Sequence, residues 1–431
     1  MGNELNPRYL EVWLRDLHVG WLCEAGRTTR FVATEPYIAD ARRPTLSMSL
    51  TVPGSDRLTR EILQNPFDPA LYQERGELPA YFAGLLPEGD LRKRLAATRK
   101  DIHDTDDFGI LAAAGLDLPG AVKVLPADLD KLTDHARAVG VTGGSDNLEI
   151  GVPEQAAEGA ASLSGMQDKL ALSTAHKGKR YTLPIKGRLS DVIAKLPTRN
   201  DDAQIFNEYT AMQLARIAGV NIAPCSTRPM TDIELPDLVQ ALGEDKHFLA
   251  VDRFDRTPDG AVHVEDACQL QTLMPVRKYA DTRYFVALLK ILDRLSVRGV
   301  EDIRQFFIRQ TVNTLLGNSD AHLKNFSVIY HNGLLPELSP AYDIVCVSAL
   351  PGFAGFATNV AIDAQQQQQT LQTYMDIATQ AGIAARIAAA AVKDTVELAR
   401  TRWPDALQDL PAPPAVDAEI RRRLAVLPLT Q

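Results

Sequence analysis

The chain's most reactive set of side chains lies in eight residues, Asn318-Ser319-Asp320-Ala321-His322-Leu323-Lys324-Asn325. They offer a carboxylate, an imidazole, an ammonium and amides directly after an apolar run. An Asp followed five residues later by an Asn is the spacing of a kinase-type catalytic loop. There the Asp takes the acceptor's proton and the Asn holds Mg²⁺. An ordinary solvated loop has the same composition, so the chemistry depends on what other elements bring to it. Asp320-x-His322 also hints at metal ligation, but no second His is nearby. A structural or catalytic-loop hydrogen-bonding role suits His322 better.

The flanking elements can build such a site. Asp302 to Leu316 reads as a helix apolar around much of its circumference, hence buried and central, and it delivers the chain into the loop. Phe326 to Tyr330 and Leu334 to Leu338 read as strands joined by an Asn332-Gly333 turn. That hairpin returns Asp343 to the neighbourhood of Asn325. Two carboxylates and an amide oxygen are hard donors suited to Mg²⁺ with phosphates. Upstream, Lys169–Thr174, Arg180–Ile185 and Asp191–Leu196 read as three strands of a small antiparallel meander. Lys195 sits in an otherwise apolar strand and needs a partner, which Glu208, near the start of the next helix, can supply. The alternative is an edge lysine facing solvent. Ser164-Gly165-Met166-Gln167 precedes the sheet as a candidate phosphate-covering loop, although it is neither a Walker A nor a GxGxxG and equally suits a turn. The adenine edge would meet backbone near Asp252 and Phe254, between a small and a large lobe.

The 431 residues suffice for two or three domains. Residues 9–34 alternate as a hairpin would, and Leu46, Met48 and Leu50 repeat the alternation. Segments 57–65 and 79–100 read as helices, the second interrupted at Pro87. Phe108–Ala114 is a helical turn with Gly115 as its C-cap, and Gly120–Pro126 a short strand. The expected division is 1–126, an α+β subdomain; 127–160, a connector; 161–256, a small lobe with hinge; and 257–431, a mostly helical lobe. A formal net charge of −9 argues against non-specific nucleic-acid binding by the whole surface. Cys23, Cys225, Cys268 and Cys346 are far apart in sequence, as reduced buried thiols would be. The N-terminus lacks a signal-peptide layout and no apolar run reaches membrane-spanning length, so a cytoplasmic protein without membrane contact is expected.

These residues resemble the HipA family of bacterial serine/threonine kinases, the toxin halves of toxin–antitoxin modules. The N-terminal likeness is carried by Leu85-Leu86-Pro87-Glu88, Asp107-Phe108-Gly109-Ile110-Leu111 and Gly120-Ala121. Ser162-x-x-Gly165-x-Gln167-Asp168-Lys169, Lys195-Leu196-Pro197, Asn207-Glu208 and Asp252-Arg253-Phe254-Asp255-Arg256 carry it further. Glu265-Asp266-x-Cys268-Gln269, Asp320-Ala321-His322-x-Lys324-Asn325-Phe326-Ser327 and Tyr342-Asp343 complete it.

The resemblance implies a two-lobed protein-kinase-like α+β fold with an N-terminal α+β subdomain and a mostly helical C-terminal lobe. It implies ATP and Mg²⁺ as cofactors. Asp320 matches the catalytic base, Asn325 and Asp343 the Mg²⁺ ligands, Lys195 the ATP-phosphate lysine, and Asp252 and Phe254 the adenine hinge. Ser164, Gly165, Gln167 and Lys324 join the residues expected on ATP, although the spacing alone gives Lys324 no firm role. Ser162 matches a serine that the family autophosphorylates to switch itself off; Ser164 is a second candidate. A small helix-turn-helix antitoxin (HipB-like) is implied as partner, with DNA reached indirectly through it. A translation protein, such as an aminoacyl-tRNA synthetase, is implied as substrate, with growth arrest and persistence as outcome. Two other readings stay open: a catalytically weak co-repressor acting through the antitoxin, and a small-molecule kinase.

Overall fold

The structure, a computed structural model, describes residues 7–97, 102–134, 136–137, 168–176, 178–185, 188–279, 281–355 and 357–431. The N-terminal alternation produces three strands where a hairpin was expected: β1 (Arg8–Leu14), β2 (Leu17–Ala25) and β3 (Thr28–Ala33). The third forms because Gly26, at φ 63°, turns the chain back as Arg15, at φ 55°, does before it. With β4 (Tyr72–Gln73) and β5 (Val122–Pro126) they make an antiparallel sheet of order β4-β3-β2-β1-β5. Leu10, Val12, Leu22 and Phe31 bury one face against the Asp107–Ala114 helix, most of which is itself buried. Leu46, Met48 and Leu50 are buried as their alternation requires, but Met48–Leu50 is a 3₁₀ turn capped by Ser47, not a strand. The 79–100 segment splits into helices Ala80–Gly84 and Gly89–Ala97 on either side of Pro87.

Gly115 does follow the Asp107–Ala114 helix, yet at φ −65° it is not a left-handed cap. Its reason is space: a Cβ there would lie 1.6 Å from the Val124 carbonyl oxygen of β5. Gly115→Ala is therefore expected to destabilise the protein by about 1–3 kcal/mol or more, as overpacking does. A urea titration reads this as a lower midpoint.

β6 (Lys169–Ala175), β7 (Arg180–Thr182), β8 (Val192–Lys195), β9 (Cys225–Pro229) and β10 (His247–Asp252) form a second antiparallel sheet. Its order, β7-β6-β8-β10-β9, corrects the expected meander. β6 is long enough to pair twice: Ser173–Ala175 face β7, while Lys169–Leu172 face β8 across its other edge. The register sets Lys169 directly opposite Lys195. The Ala203–Ile217 helix, which carries Glu208, packs on β9 and β10.

The short pair β11 (Arg256–Thr257) and β12 (Gly260–Ala261) leads into a third sheet, β13 (His263–Asp266), β14 (Ser327–Tyr330) and β15 (Glu337–Leu338), in that order. The return strand is shorter than expected. Asn332 Oδ1 accepts hydrogen bonds from the Leu334 and Leu335 amides, each 2.8 Å, and holds both residues in the turn. The Val300–Leu316 helix is buried along its length, as expected, with Phe306, Phe307, Val312, Leu315 and Leu316 in the largest core. Helices Leu371–Ala381, Ala385–Asp409 and Pro414–Val426 pack around it. All four cysteines are free. Among the described residues no helix is long and apolar enough to cross a membrane.

The N-terminal unit is fastened to the β13–β15 region by a buried acid. Glu265 accepts from Ser47 Oγ (2.6 Å), from the Met48 amide (2.9 Å) and from the Tyr330 hydroxyl. Burial raises its pKa to about 7, outweighing the three donors that favour the anion. A folded pKa raised above the unfolded one gives stability that is present below about pH 4.5 and lost as pH rises through about 7. The loss is on the order of 3 kcal/mol. Glu265→Gln keeps the shape and removes the titration. Between pH 5 and 8 its thermal midpoint should therefore fall less than the wild type's.

Candidate active site

The Val300–Leu316 helix stops at Gly317, whose φ of 68° turns the chain into the loop. A Cβ there would lie 2.2 Å from Ser348 Oγ, so glycine also permits close packing. Asn318 then ties the loop together: its Nδ2 donates to Asn313 Oδ1 at 3.0 Å and to the Asp343 carbonyl at 3.4 Å. Asn325 Nδ2 donates to the Asp320 carbonyl at 3.0 Å, which fixes the amide orientation. Its Oδ1 has no hydrogen-bond donor among the described residues. Asp343 sits at φ 60°, a left-handed conformation uncommon for Asp and held here by the surrounding packing.

Lys195 joins the small sheet to this loop. Its Nζ donates to Glu208 Oε1 at 2.6 Å and also to Asp343 Oδ1. Burial alone would discharge the lysine, but Asp343 and Glu208 hold its pKa above the ordinary value. Burial likewise opposes the Asp343 charge, and Lys195 and Lys169 overcome it, so the carboxylate is well below its usual range. Glu208 differs: burial dominates over Lys195 and its pKa is raised. The lysine's charge is thus balanced chiefly by Asp343. Asp343 Oδ2, like Asn325 Oδ1, has no donor among the described residues, so both hard oxygens are available to a divalent cation.

Asp320 faces the other side. Burial raises its pKa, against the lowering effect of a hydrogen bond donated by the Tyr279 hydroxyl. His322 is buried and neutral, its pKa lowered to about 4 by burial and then by Lys278. Its Nδ1 finds no partner among the described residues, and its ring stands edge-on to Tyr279 at 5.1 Å. It is a wall of the site, the structural one of the two support roles expected.

Two spaces share Lys169, Glu208, His322 and Asp343 in their walls. A cavity of about 150 Å³ is lined by Lys169, Lys195, Val251 to Asp255, Asn325, Tyr342 and Asp343. A cleft of about 710 Å³ is lined by Lys169, Glu208, Tyr279, Asp320 and Asp343. At the hinge, the Asp252 and Arg253 amides are already bonded to the Pro224 and Asp191 carbonyls, both within 2.9 Å. The Phe254 amide has no acceptor among the described residues, and its ring stacks on Tyr342 at 5.7 Å. Of the two hinge positions, Phe254 is the one with a backbone donor to offer.

The other sequence-predicted residues divide. Ser162, Ser164, Gly165 and Gln167 lie outside the described residues. Lys324, expected on ATP, lines the small cavity, but its ammonium is directed elsewhere. It donates to the Gly84 carbonyl at 3.0 Å and approaches Asp266 Oδ2 (3.4 Å) and Glu88 Oε1 (3.5 Å). It tethers the Leu85-Leu86-Pro87-Glu88 segment to the loop. Sequence reasoning gave no role to Lys169, Tyr279 or Glu88. Lys169 had a usable signal, a lysine opening an apolar strand as Lys195 closes one. Tyr279 had none, lying 41 residues before Asp320 in a stretch without a motif. Arg253 and Arg256, read only as hinge flanks, form a buried network with Asp117 and Asp255 at 2.8–3.0 Å. The network locks the hinge to the N-terminal unit.

Family comparison places the chain as a whole. The model of the HipA-like C-terminal domain matches residues 161–403, and that of the HipA N-terminal domain matches residues 10–125. The chain belongs to the HipA family. Among curated relatives, "Putative kinase Y4dM" of Sinorhizobium fredii is 33% identical over 396 residues, 90% of this chain and 88% of that protein. The serine/threonine-protein kinase toxin HipA of Shewanella oneidensis is 25% identical over 371 residues, 80% of this chain and 76% of the toxin. A chain in the solved complex of the Shewanella oneidensis HipA, HipB toxin–antitoxin system with its operator DNA superposes with a TM-score of 0.66 at 20% identity. The match covers 97% of this chain and 96% of that one. The HipA fold therefore spans nearly the whole chain, and the site lies within the HipA C-terminal match.

Proposed function

We propose that this chain is an ATP- and Mg²⁺-dependent serine/threonine protein kinase acting as the toxin of a type II toxin–antitoxin system. The observation that carries the reading is Lys195 bonded to both Glu208 and Asp343, at the junction of a cavity that ends on the Phe254 amide and a cleft that ends on Asp320. The reading assigns the cavity to a base and the cleft to a triphosphate, a cation and an acceptor.

When bound, ATP supplies the γ-phosphoryl group and Mg²⁺ offsets the charge on its phosphates. The chain's own residues do the rest. The Phe254 amide donates to the adenine edge. Lys195, held cationic by Asp343 and Glu208, donates to the phosphates. Asn325 Oδ1 and Asp343 Oδ2 supply the cation's protein ligands. Such a site needs no all-protein cage. Asp320 accepts the proton of the acceptor hydroxyl as transfer proceeds. Removing divalent metal with EDTA should abolish transfer of label from γ-labelled ATP, and added Mg²⁺ should restore it. Label transfer indifferent to EDTA would refute the metal assignment.

The proposal extends to the division at residues 126, 160 and 256, to regulation by phosphate on Ser162 or Ser164, and to a HipB-like antitoxin that brings the acidic protein to DNA. The family resemblance extends the proposal to a protein of translation, such as an aminoacyl-tRNA synthetase, as substrate; the name of the Shewanella relative supports a serine/threonine-protein kinase toxin. Nucleotide binding without any transfer would favour the co-repressor reading.

A further inference from the structure

Tyr279 makes a contact that the proposed reaction does not use. It donates its phenol hydrogen to Asp320 Oδ1. An acceptor hydroxyl must make that same hydrogen bond before Asp320 can take its proton. Tyr279 is 39% exposed and stands at the edge of the 710 Å³ cleft, with Asp320 beside it. Its ring is held apart from its hydroxyl: His322 lies edge-on at 5.1 Å, and the Lys278 ammonium is 5.7 Å from its centroid. Lys278 is itself fixed by Glu88 at 2.9 Å. The hydroxyl can therefore leave Asp320 by a small ring movement without loss of a core contact.

What can displace it follows from the rest of the cleft. A phenol is a more acidic donor than water, so its charge-assisted bond to the carboxylate resists exchange with water. A protein hydroxyl arrives with neighbouring side chains. The lining of the cleft includes Val345, Val347, Leu350, Pro351 and Phe353, which can bury an apolar one.

We propose that Tyr279 gates the acceptor site. Its hydroxyl fills the seat of the acceptor hydroxyl on Asp320, shuts out water, and yields to a serine or threonine whose neighbouring apolar side chain packs on the 345–353 wall. The inference rests on the kinase reading above and adds to it a restriction on the acceptor. It makes Tyr279 a positioning residue, acting through Asp320.

The test uses the full chain and the variant Tyr279→Phe, which keeps the ring and removes the hydroxyl. Two rates are measured with Mg-ATP: hydrolysis to ADP and phosphate with no protein acceptor, and transfer to dephosphorylated casein. The variant should hydrolyse ATP about tenfold faster, and its KM for casein should fall by a similar factor, the scale of one charged hydrogen bond. Its KM for ATP should not follow. Unchanged hydrolysis overturns the gate. So does a fall in kcat with the casein KM unchanged, which would make Tyr279 a support of the base. A wild-type protein that neither hydrolyses ATP nor transfers phosphate removes the kinase reading and the gate together, whereas an active wild type with an indistinguishable variant removes the gate alone.

Discussion

Asp320→Asn is expected to lower phosphate transfer by about 10²–10⁴-fold, the usual worth of a general base, while ATP affinity stays close to that of the wild type. The asparagine has the same shape, and its amide oxygen can still accept from Tyr279, so the cleft keeps its form. It cannot take a proton. The change also removes a partly buried negative charge that Asp343 repels, so the fold is not weakened. Steady-state transfer, nucleotide affinity and thermal midpoint should thus separate: the first collapses and the other two hold. A variant that transfers like the wild type would mean that some other group takes the proton.

Lys195→Met is expected to have the largest effect on stability. It removes the one hydrogen-bond partner of the Glu208 carboxylate among the described residues and one of the charges that keep Asp343 anionic. Breaking a buried ion pair from one side costs about 3–5 kcal/mol, because the remaining charge is buried without compensation. The pH dependence gives a second reading. In the wild type the Asp343 pKa is depressed, so its contribution is present above the unfolded value and lost as pH falls through the folded one. In the variant the two carboxylates repel and their pKa values rise, so protonation relieves the strain. The gap between the two proteins should therefore narrow as pH is lowered through about 4. A gap that is constant with pH would show that lost packing of the lysine stem, not charge, is what the substitution removes.

Much of this site was legible because its parts obey local rules. The apolar Val300–Leu316 helix could only be buried, and Asn332-Gly333 could only turn the chain back, so Asp343 had to return near Asn325. Lys195 in an apolar strand demanded a carboxylate, and Glu208 was within one element of it. What could not be read depended on pairing across long separations. The placement of β6 between β7 and β8 follows from which half of a strand finds which partner, and alternation alone does not encode it. Lys324 had no firm role in the sequence because its partners, Gly84 and Glu88, lie some 240 residues away. Gly115 looked like a cap because caps are what glycines after helices commonly are, whereas the approach of β5 is a tertiary fact. Tyr279 reaches Asp320 only because the chain between the Ala267–Leu270 and Thr282–Leu295 helices passes the mouth of the cleft.

The most direct test of the account compares two labels on the same nucleotide. Purified protein is incubated with Mg²⁺ and ATP carrying label in the γ- or the α-phosphate, and protein-bound label is counted. Asp320, Lys195, Asn325 and Asp343 as placed here predict that γ-label is transferred to protein and α-label is not. Transfer of the α-label, or of neither, would contradict the account.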